Sequence, residues 1–282
     1  MVLAMTSPLP LSGQSAFITG GGSGIGLGGA EALVRDGMSV TIMGRNADRL
    51  AVAAEQLRAG APEGVTVVDI AGDVTDEDSV AAGVAAATAV TGKLDVCVAA
   101  AGDGTLGPII AMSLEEWNRV INVSLTGVFL TFKHAGGAIS RSGGGAMVAI
   151  SSLAGTITHR FMGPYNSAKA GVDMLVKTTA DELGRVGVRA NSIRPGIIRT
   201  DLVSMITPED SVGQSYLANM PISRFGEVSD VAPVIRFLCG PESSFITGEC
   251  INVDGGHHLR NGPEYYEWAA GLYGGAADGH PS

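Results

Sequence analysis

The sequence predicts an α/β protein built on a doubly wound, seven-stranded parallel sheet with helices on both faces, and three observations predict it. Short apolar runs alternate with longer, Ala-rich segments of helical length along most of the chain. The runs are apolar throughout rather than at every second residue, as expected of strands covered on both faces. A Gly-rich turn follows the first run and opens the first long helical segment, and sheets of this kind bind ligands beyond the carboxyl ends of their strands.

Strands are expected at 15–19 (SAFIT), 39–43 (SVTIM), 65–70 (VTVVDI), 94–100 (LDVCVAA), 146–151 (AMVAIS), 188–193 (VRANSI) and 249–253 (ECINV). Between them, helices are expected at about 24–36, 47–59, 76–91, 114–133, 165–184 and 230–238, with Asp76 and Ser113 placed to cap two of them. Regular strand–helix–strand order requires parallel pairing, because each crossover lays a helix on a face. From Thr200 to Asp230 runs a segment carrying Leu202, Val203, Met205, Ile206, Tyr216, Leu217, Met220 and Ile222, long enough to form a lid. No linker or shift of composition precedes about residue 256, so residues 1–256 read as a single domain with its lid at about 201–230. Residues 257–282 read as a C-terminal extension, partly helical. Pro263 starts a stretch in which Tyr265, Trp268 and Leu272 share a face, expected to dock on the lid of the same subunit or on a neighbour.

Composition narrows the functional classes. With 282 residues and 45% apolar content the chain can bury a large core, and 16% charged residues is too few for a disordered chain. A net charge of −10 disfavours nucleic acid and anionic membranes and leaves small molecules as partners. Cys97, Cys239 and Cys250 are an odd number without C-x-x-C spacing and read as buried, reduced thiols. The opening MVLAMTSPLPLSG lacks a basic stretch and breaks at Pro8 and Pro10, and no apolar run is long enough to span a bilayer, so a cytoplasmic protein is expected. His257 and His258 have no third ligand at a suitable spacing, and no metal site is expected.

The chemistry is carried by strand ends. After the first strand comes TGGGSGIG, in which Gly20, Gly22, Ser23, Gly24, Ile25 and Gly26 permit a tight turn and bring backbone N–H groups and a helix N-terminus against a phosphate. Ser152 ends the fifth strand thirteen positions before Tyr165, and Lys169 follows Tyr165 by four, which puts the last two on one helix face within reach of one ligand. A free phenol titrates near ~10, and a neighbouring ammonium is expected to draw it down toward the working range.

Thr19-Gly20-x-x-x-Gly24-x-Gly26, Asp73-Val74, Asn122, Ser152, Tyr165-x-x-x-Lys169, Pro195-Gly196 and Asp254-Gly255-Gly256 together resemble the short-chain dehydrogenase/reductase family over about residues 12–256. The resemblance implies a Rossmann-type fold that binds a dinucleotide, with Tyr165 as acid and base, Ser152 stabilising the substrate oxygen, Lys169 holding the nicotinamide ribose and Asn122 supporting a relay water. It implies that Asp73 and Val74 contact adenine, capping of the next helix being the competing reading for Asp73, a role for which Asp76 is also available. Ala100 and Gly102 would meet the cofactor through their backbone. The turn at Pro195-Gly196 would bring Ile197 and Thr200 toward the nicotinamide, with Ile198 among the contacts. One departure stands out: Ala99-Ala100-Ala101-Gly102 where the family usually has Asn-Asn-Ala-Gly, which puts the ties between strands in doubt rather than the chemistry. The family also implies a homo-oligomer, most often a tetramer.

At the end of the second strand stands Gly44-Arg45-Asn46, with no acid to accept ribose hydroxyls, so Arg45 favours NADP(H) over NAD(H). The apolar lid favours a hydrophobic ketone and its secondary alcohol. Asp201, Glu209, Asp210, Glu227 and Asp230 against one Arg224 are poor company for a phosphate-bearing acyl carrier, which leaves 3-oxoacyl-thioester reduction as the alternative. A noncatalytic NADP-binding regulator on the same fold is the other alternative, and retention of Ser152, Tyr165 and Lys169 argues against it.

Overall fold

Each of the seven apolar runs forms a strand. The computed structural model describes residues 9–260, 266–278 and 280. In it β1 (Ser15–Thr19), β2 (Ser39–Gly44), β3 (Val67–Ala71), β4 (Val96–Ala99), β5 (Gly145–Ile150), β6 (Val188–Pro195) and β7 (Cys250–Val253) make one parallel sheet in the order β3-β2-β1-β4-β5-β6-β7. The chain winds outward from β1 to one edge, returns to β4 beside β1, and winds to the other edge. The crevice left by that reversal opens beyond Thr19 and Ala99, which are register partners at the carboxyl ends of β1 and β4.

Burial on both faces explains why the strands are apolar throughout. On one face Ile18, Ile42, Val98 and Val148 pack under α1 (Gly24–Arg35), α2 (Ala47–Ala59) and α8 (Val228–Cys239). On the other, Phe17, Met43, Cys97 and Met147 pack under α3 (Glu77–Thr91), α5 (Gly127–Arg141) and α6 (Gly163–Leu183). Each large side chain so buried contributes about 1.5–3 kcal/mol. Cys97 and Cys239 are buried, Cys250 is half-buried, and all three are free thiols.

Local chemistry sets the helix ends. Asp76 accepts from the Asp78 amide and Ser113 from the Glu116 amide at 3.1 Å, so both expected caps form. Helix α8 begins at Val228, before the expected residue 230, because Glu227 and Asp230 form a reciprocal capping box. The single helix expected over 114–133 is instead α4 (Leu114–Ile121), a π-turn (Asn122–Thr126) and α5. The wider turn rotates Ser124 inward, where its hydroxyl donates to the Asp103 carbonyl at 2.8 Å and accepts from the Asp103 amide at 3.0 Å. Within the lid segment stands a helix the sequence pattern did not disclose, α7 (Ser211–Asn219), started by the Asp210 carboxylate, which accepts from the Val212 and Gly213 amides.

Beyond β7, the tail forms α9 (Tyr266–Tyr273), while Pro263 and Tyr265 lie outside the described residues. Trp268 and Leu272 of the expected face are exposed at 75% and 76%.

Helix α1 approaches α8 through two glycines. A Cβ on Gly28 would stand 2.2 Å from Val228 Cγ1, and one on Gly29 would stand 2.9 Å from Ile235 Cδ1. Gly28→Ala is therefore expected to lower stability by about 1–3 kcal/mol through overpacking. Adding Val228→Ala should recover most of that loss, and urea denaturation of the two single variants and the double variant measures it.

Candidate active site

The turn between β1 and α1 is shaped by close backbone approach. Gly20 has φ +69°, and a Cβ there would lie 2.7 Å from the Ala101 nitrogen; one on Gly26 would lie 2.3 Å from the Gly20 carbonyl oxygen. Ser23, extended at φ −165°, makes no side-chain cap, and no acidic residue occupies the first turn of α1. The helix therefore directs first-turn N–H groups and its positive end into the crevice, a cradle suited to a pyrophosphate.

The crevice is about 520 Å³, and the residues assigned to the cofactor, Ile197 excepted, line it, from Gly20, Gly22, Ser23, Gly24, Ile25 and Gly26 through Arg45, Asp73, Val74, Ala100 and Gly102 to Pro195, Gly196, Ile198 and Thr200. Ser152, Tyr165 and Lys169 line it as well. Asp73 makes an Asx turn, its Oδ1 accepting from the Thr75 amide and hydroxyl at 2.9 Å each, while Asp76 caps the next helix. Ile197 does not face the crevice; it packs with Met220 and Phe225 and, through Leu217, anchors α7. Asn46, Asp201 and Leu202 also line the site, as does Arg49, which was not singled out from sequence. Arg49 lies in the first turn of α2, four residues past Arg45, with its guanidinium 3.6 Å from Asp201 at the start of the segment expected to form a lid.

Of the assigned catalytic residues, Asn122 is the one that does not line the crevice. It opens the π-turn on an exposed face, and the place beside the crevice belongs to Ser124, which is fully buried. A Cβ on Gly102 would sit 3.4 Å from Lys169 Nζ and 3.9 Å from Ser124 Oγ, so the two groups flank the same backbone. Helical spacing holds the missed signal: Val120, Ser124, Gly127, Val128 and Thr131 form the inward face, and Asn122 is off it. Ser124 also answers the doubt raised by Ala99-Ala100-Ala101. Its two bonds to Asp103, with Arg119 donating to the Gly104 carbonyl at 3.0 Å and pairing with Asp103, tie down the end of β4 without side-chain amides.

Lys169 is 3% exposed and its Nζ donates to the Ile150 carbonyl at 2.7 Å. It lies 5.6 Å from the Tyr165 ring centroid, under the ring rather than at the hydroxyl. Burial therefore governs both groups. It pushes the Tyr165 phenol up, a hydrogen bond with Ser152 opposing it, so the expected lowering by Lys169 is not what the structure shows. Burial lowers Lys169 to about 8, and Asp173, one turn further on, opposes that shift. Asp173 is itself neutralised, accepting from Ser192 Oγ and Arg194 Nε at 2.7 Å each.

A buried ammonium whose ordinary 10.5 falls to about 8 weighs against the folded state wherever it is charged, on the order of 3 kcal/mol. The depressed value means the penalty is full below about pH 8 and lifts as pH rises toward 10.5. Lys169→Met should thus stabilise the ligand-free protein at pH 7, and its advantage should shrink toward pH 10. Urea midpoints at the two pH values check this.

A sequence profile described as enoyl-(acyl carrier protein) reductase matches residues 20–258. The chain is 38% identical over 245 residues to cis-4-hydroxycyclohexanecarboxylate dehydrogenase of Sinomonas cyclohexanicum, covering 86% of this chain and 95% of that protein. It is 31% identical to the 3-oxoacyl-[acyl-carrier-protein] reductase FabG of Staphylococcus aureus, covering 87% and 98%. The solved structure of a short-chain type dehydrogenase/reductase from Mycobacterium ulcerans superposes with a TM-score of 0.87 at 43% identity, covering 95% of this chain and 98% of that one. A crevice at the β1/β4 reversal that holds Ser152, Tyr165 and Lys169, on a sheet shared with these proteins, places the chain in the short-chain dehydrogenase/reductase family, enzymes that interconvert C–OH and C=O groups with NAD(P)(H).

Proposed function

We propose that the enzyme interconverts a hydrophobic alicyclic ketone and its secondary alcohol with NADP(H). The observation that carries this is the stack at the inner end of the crevice: a phenol kept protonated by burial, a serine hydroxyl bonded to it, and a lysine fixed beneath. The bound nicotinamide supplies or takes the hydride. Ser152 donates to the substrate oxygen and offsets the charge that develops there. Tyr165 gives its proton to that oxygen in reduction, and the Lys169 ammonium under the ring favours the phenolate left behind. Oxidation of the alcohol needs the phenolate first, so it should accelerate as pH rises while reduction does not. Ser124 and Arg119 fix the loop after β4 that borders the reacting end.

NADP(H) is supported by Arg45 and Arg49, which line the crevice past the end of β2, where no carboxylate stands to repel an adenosine 2′-phosphate. The alicyclic reading is supported by the likeness to a hydroxycyclohexanecarboxylate dehydrogenase and by the apolar lid anchored on Ile197, Met220 and Phe225. Likeness to 3-oxoacyl-[acyl-carrier-protein] reductases favours a second reading, thioester reduction, but exposed Asp201 and Glu209 at the lid oppose an acidic carrier. Homo-oligomeric assembly belongs to the same family-based reading.

Tyr165→Phe should lower turnover of a cyclic ketone by about 10³-fold or more while the NADPH dissociation constant stays within about threefold. Stopped-flow turnover and fluorescence titration separate the two effects, and near-normal turnover would overturn the assignment. Arg45→Asp should move the ratio of NADPH to NADH affinity toward NADH by about tenfold or more. An unchanged ratio would show that Arg45 does not meet the 2′-phosphate.

A further inference from the structure

Three rings outside the residues assigned so far gather near the catalytic phenol. His159 lies on the loop before α6, Tyr216 on α7 and His257 just past β7, so three separate segments build the group. Ring centroids are 5.9 Å apart for His159 and Tyr216, 6.4 Å for His159 and His257, and 5.6 Å for Tyr216 and His257. All three side chains are half-buried. Asn166, adjacent to Tyr165, donates from Nδ2 to the His159 carbonyl at 3.0 Å and ties this loop to the catalytic helix. Burial, together with the nearby Tyr165 phenol, pushes the Tyr216 phenol up to about 12, and the Asn166 bond holds the His159 loop beside Tyr165.

One ring nitrogen of the group is engaged and another is buried without a partner. His159 Nδ1 lies 3.3 Å from the Ile157 carbonyl and so carries its proton there, leaving Nε2 a donor only when the ring is cationic. His257 Nδ1 is buried without a hydrogen-bond partner. Asp254, a carboxylate whose charge reaches His257, is engaged by the Gly256 amide at 3.0 Å, the His258 amide at 2.9 Å and His258 Nδ1 at 2.8 Å. Arg260 donates to the Ala218 carbonyl on α7 at 2.9 Å, and Arg160 lies over the Phe161 ring. Burial lowers both His159 and His257, and for His257 the charge of His159 adds to the lowering while Asp254 opposes it, so the pair rests neutral at neutral pH. One anionic group between them would reverse that balance, accepting from two imidazolium N–H groups and the Tyr216 hydroxyl.

We infer that His159, Tyr216 and His257 form the recognition site for a carboxylate that the substrate carries away from its reacting carbon, and that the site takes up protons as the carboxylate binds. This rests on the reading of Tyr165 as the group that meets the reacting oxygen. It makes the preferred substrate an oxo- or hydroxy-acid on an apolar ring rather than a plain ketone. A chain with a net charge of −10 has little general attraction for such an anion, and local protonation supplies it.

Calorimetry on the NADPH-saturated protein, with cyclohexanecarboxylate and the uncharged cyclohexanecarboxamide as probes, tests it. The carboxylate should bind about tenfold or more tightly at pH 6 than at pH 8, and the amide should bind alike at both. Buffers of different ionisation enthalpy should register net proton uptake for the carboxylate alone. His159→Gln and His257→Gln should each flatten the pH dependence. No binding of the carboxylate at pH 6, equal binding at the two pH values, or an undiminished slope in both variants would overturn the inference. If the variants do not fold, the contrast between the two probes on the wild-type protein still decides it. The parent reading is judged apart from this, by NADPH binding and cyclohexanone turnover of the wild-type enzyme.

Discussion

How closely the turn after β1 approaches the end of β4 governs everything in the crevice. The backbone of Gly20 lies against Ala100 and Ala101, and Gly26 lies against Gly20, at separations that admit no side chain at either glycine. This contact stands where the sheet reverses its winding, so it sets the width of the opening through which a dinucleotide meets the strand ends. Loops from β4, β5 and β6 then have a fixed wall to face. Ser152 and Pro195-Gly196 inherit their positions from the register of β4, β5 and β6, and Lys169 inherits its own from the bond to the Ile150 carbonyl.

Lys169 shows the tension between such a site and the fold around it. An ammonium at 3% exposure is held by one carbonyl, and the nearby Asp173 carboxylate that favours its charge is already shared with Ser192 and Arg194. Nothing in the ligand-free protein fully compensates its charge, and the fold tolerates it on the strength of two large apolar layers. Burial also keeps Tyr165 protonated, the form that donates. One physical effect thus acts in opposite senses on two neighbours and leaves an acid and a cation side by side.

Most of the fold was legible because buried parallel strands and capped helices write themselves in residue type. SAFIT, SVTIM and VRANSI lie within a residue or two of their observed bounds, and Asp76 and Ser113 cap as expected. Conformation that residue type does not encode was not legible. The π-turn leaves no compositional trace, so Asn122 was placed in the site and Ser124 overlooked. Helix α7 owes its start to Asp210 but its stability to contacts with Ile197 and Phe225 that exist only in three dimensions. Arg49 reads as an ordinary helix-surface residue until the crevice is seen beneath it. The shift on Tyr165 was misjudged because spacing reveals proximity to Lys169 and not the depth of burial.

The glycine stripe that seats α1 on α8 has a thermodynamic consequence for the crevice. With Gly28 against Val228 and Gly29 against Ile235, α1 cannot tilt or slide without opening a void in the core. Its first-turn amides are therefore aligned before any phosphate arrives. Their ordering entropy was lost when the chain folded, so the association of an anion there is set by electrostatics and desolvation, with little reorganisation of the protein to slow it or weaken it.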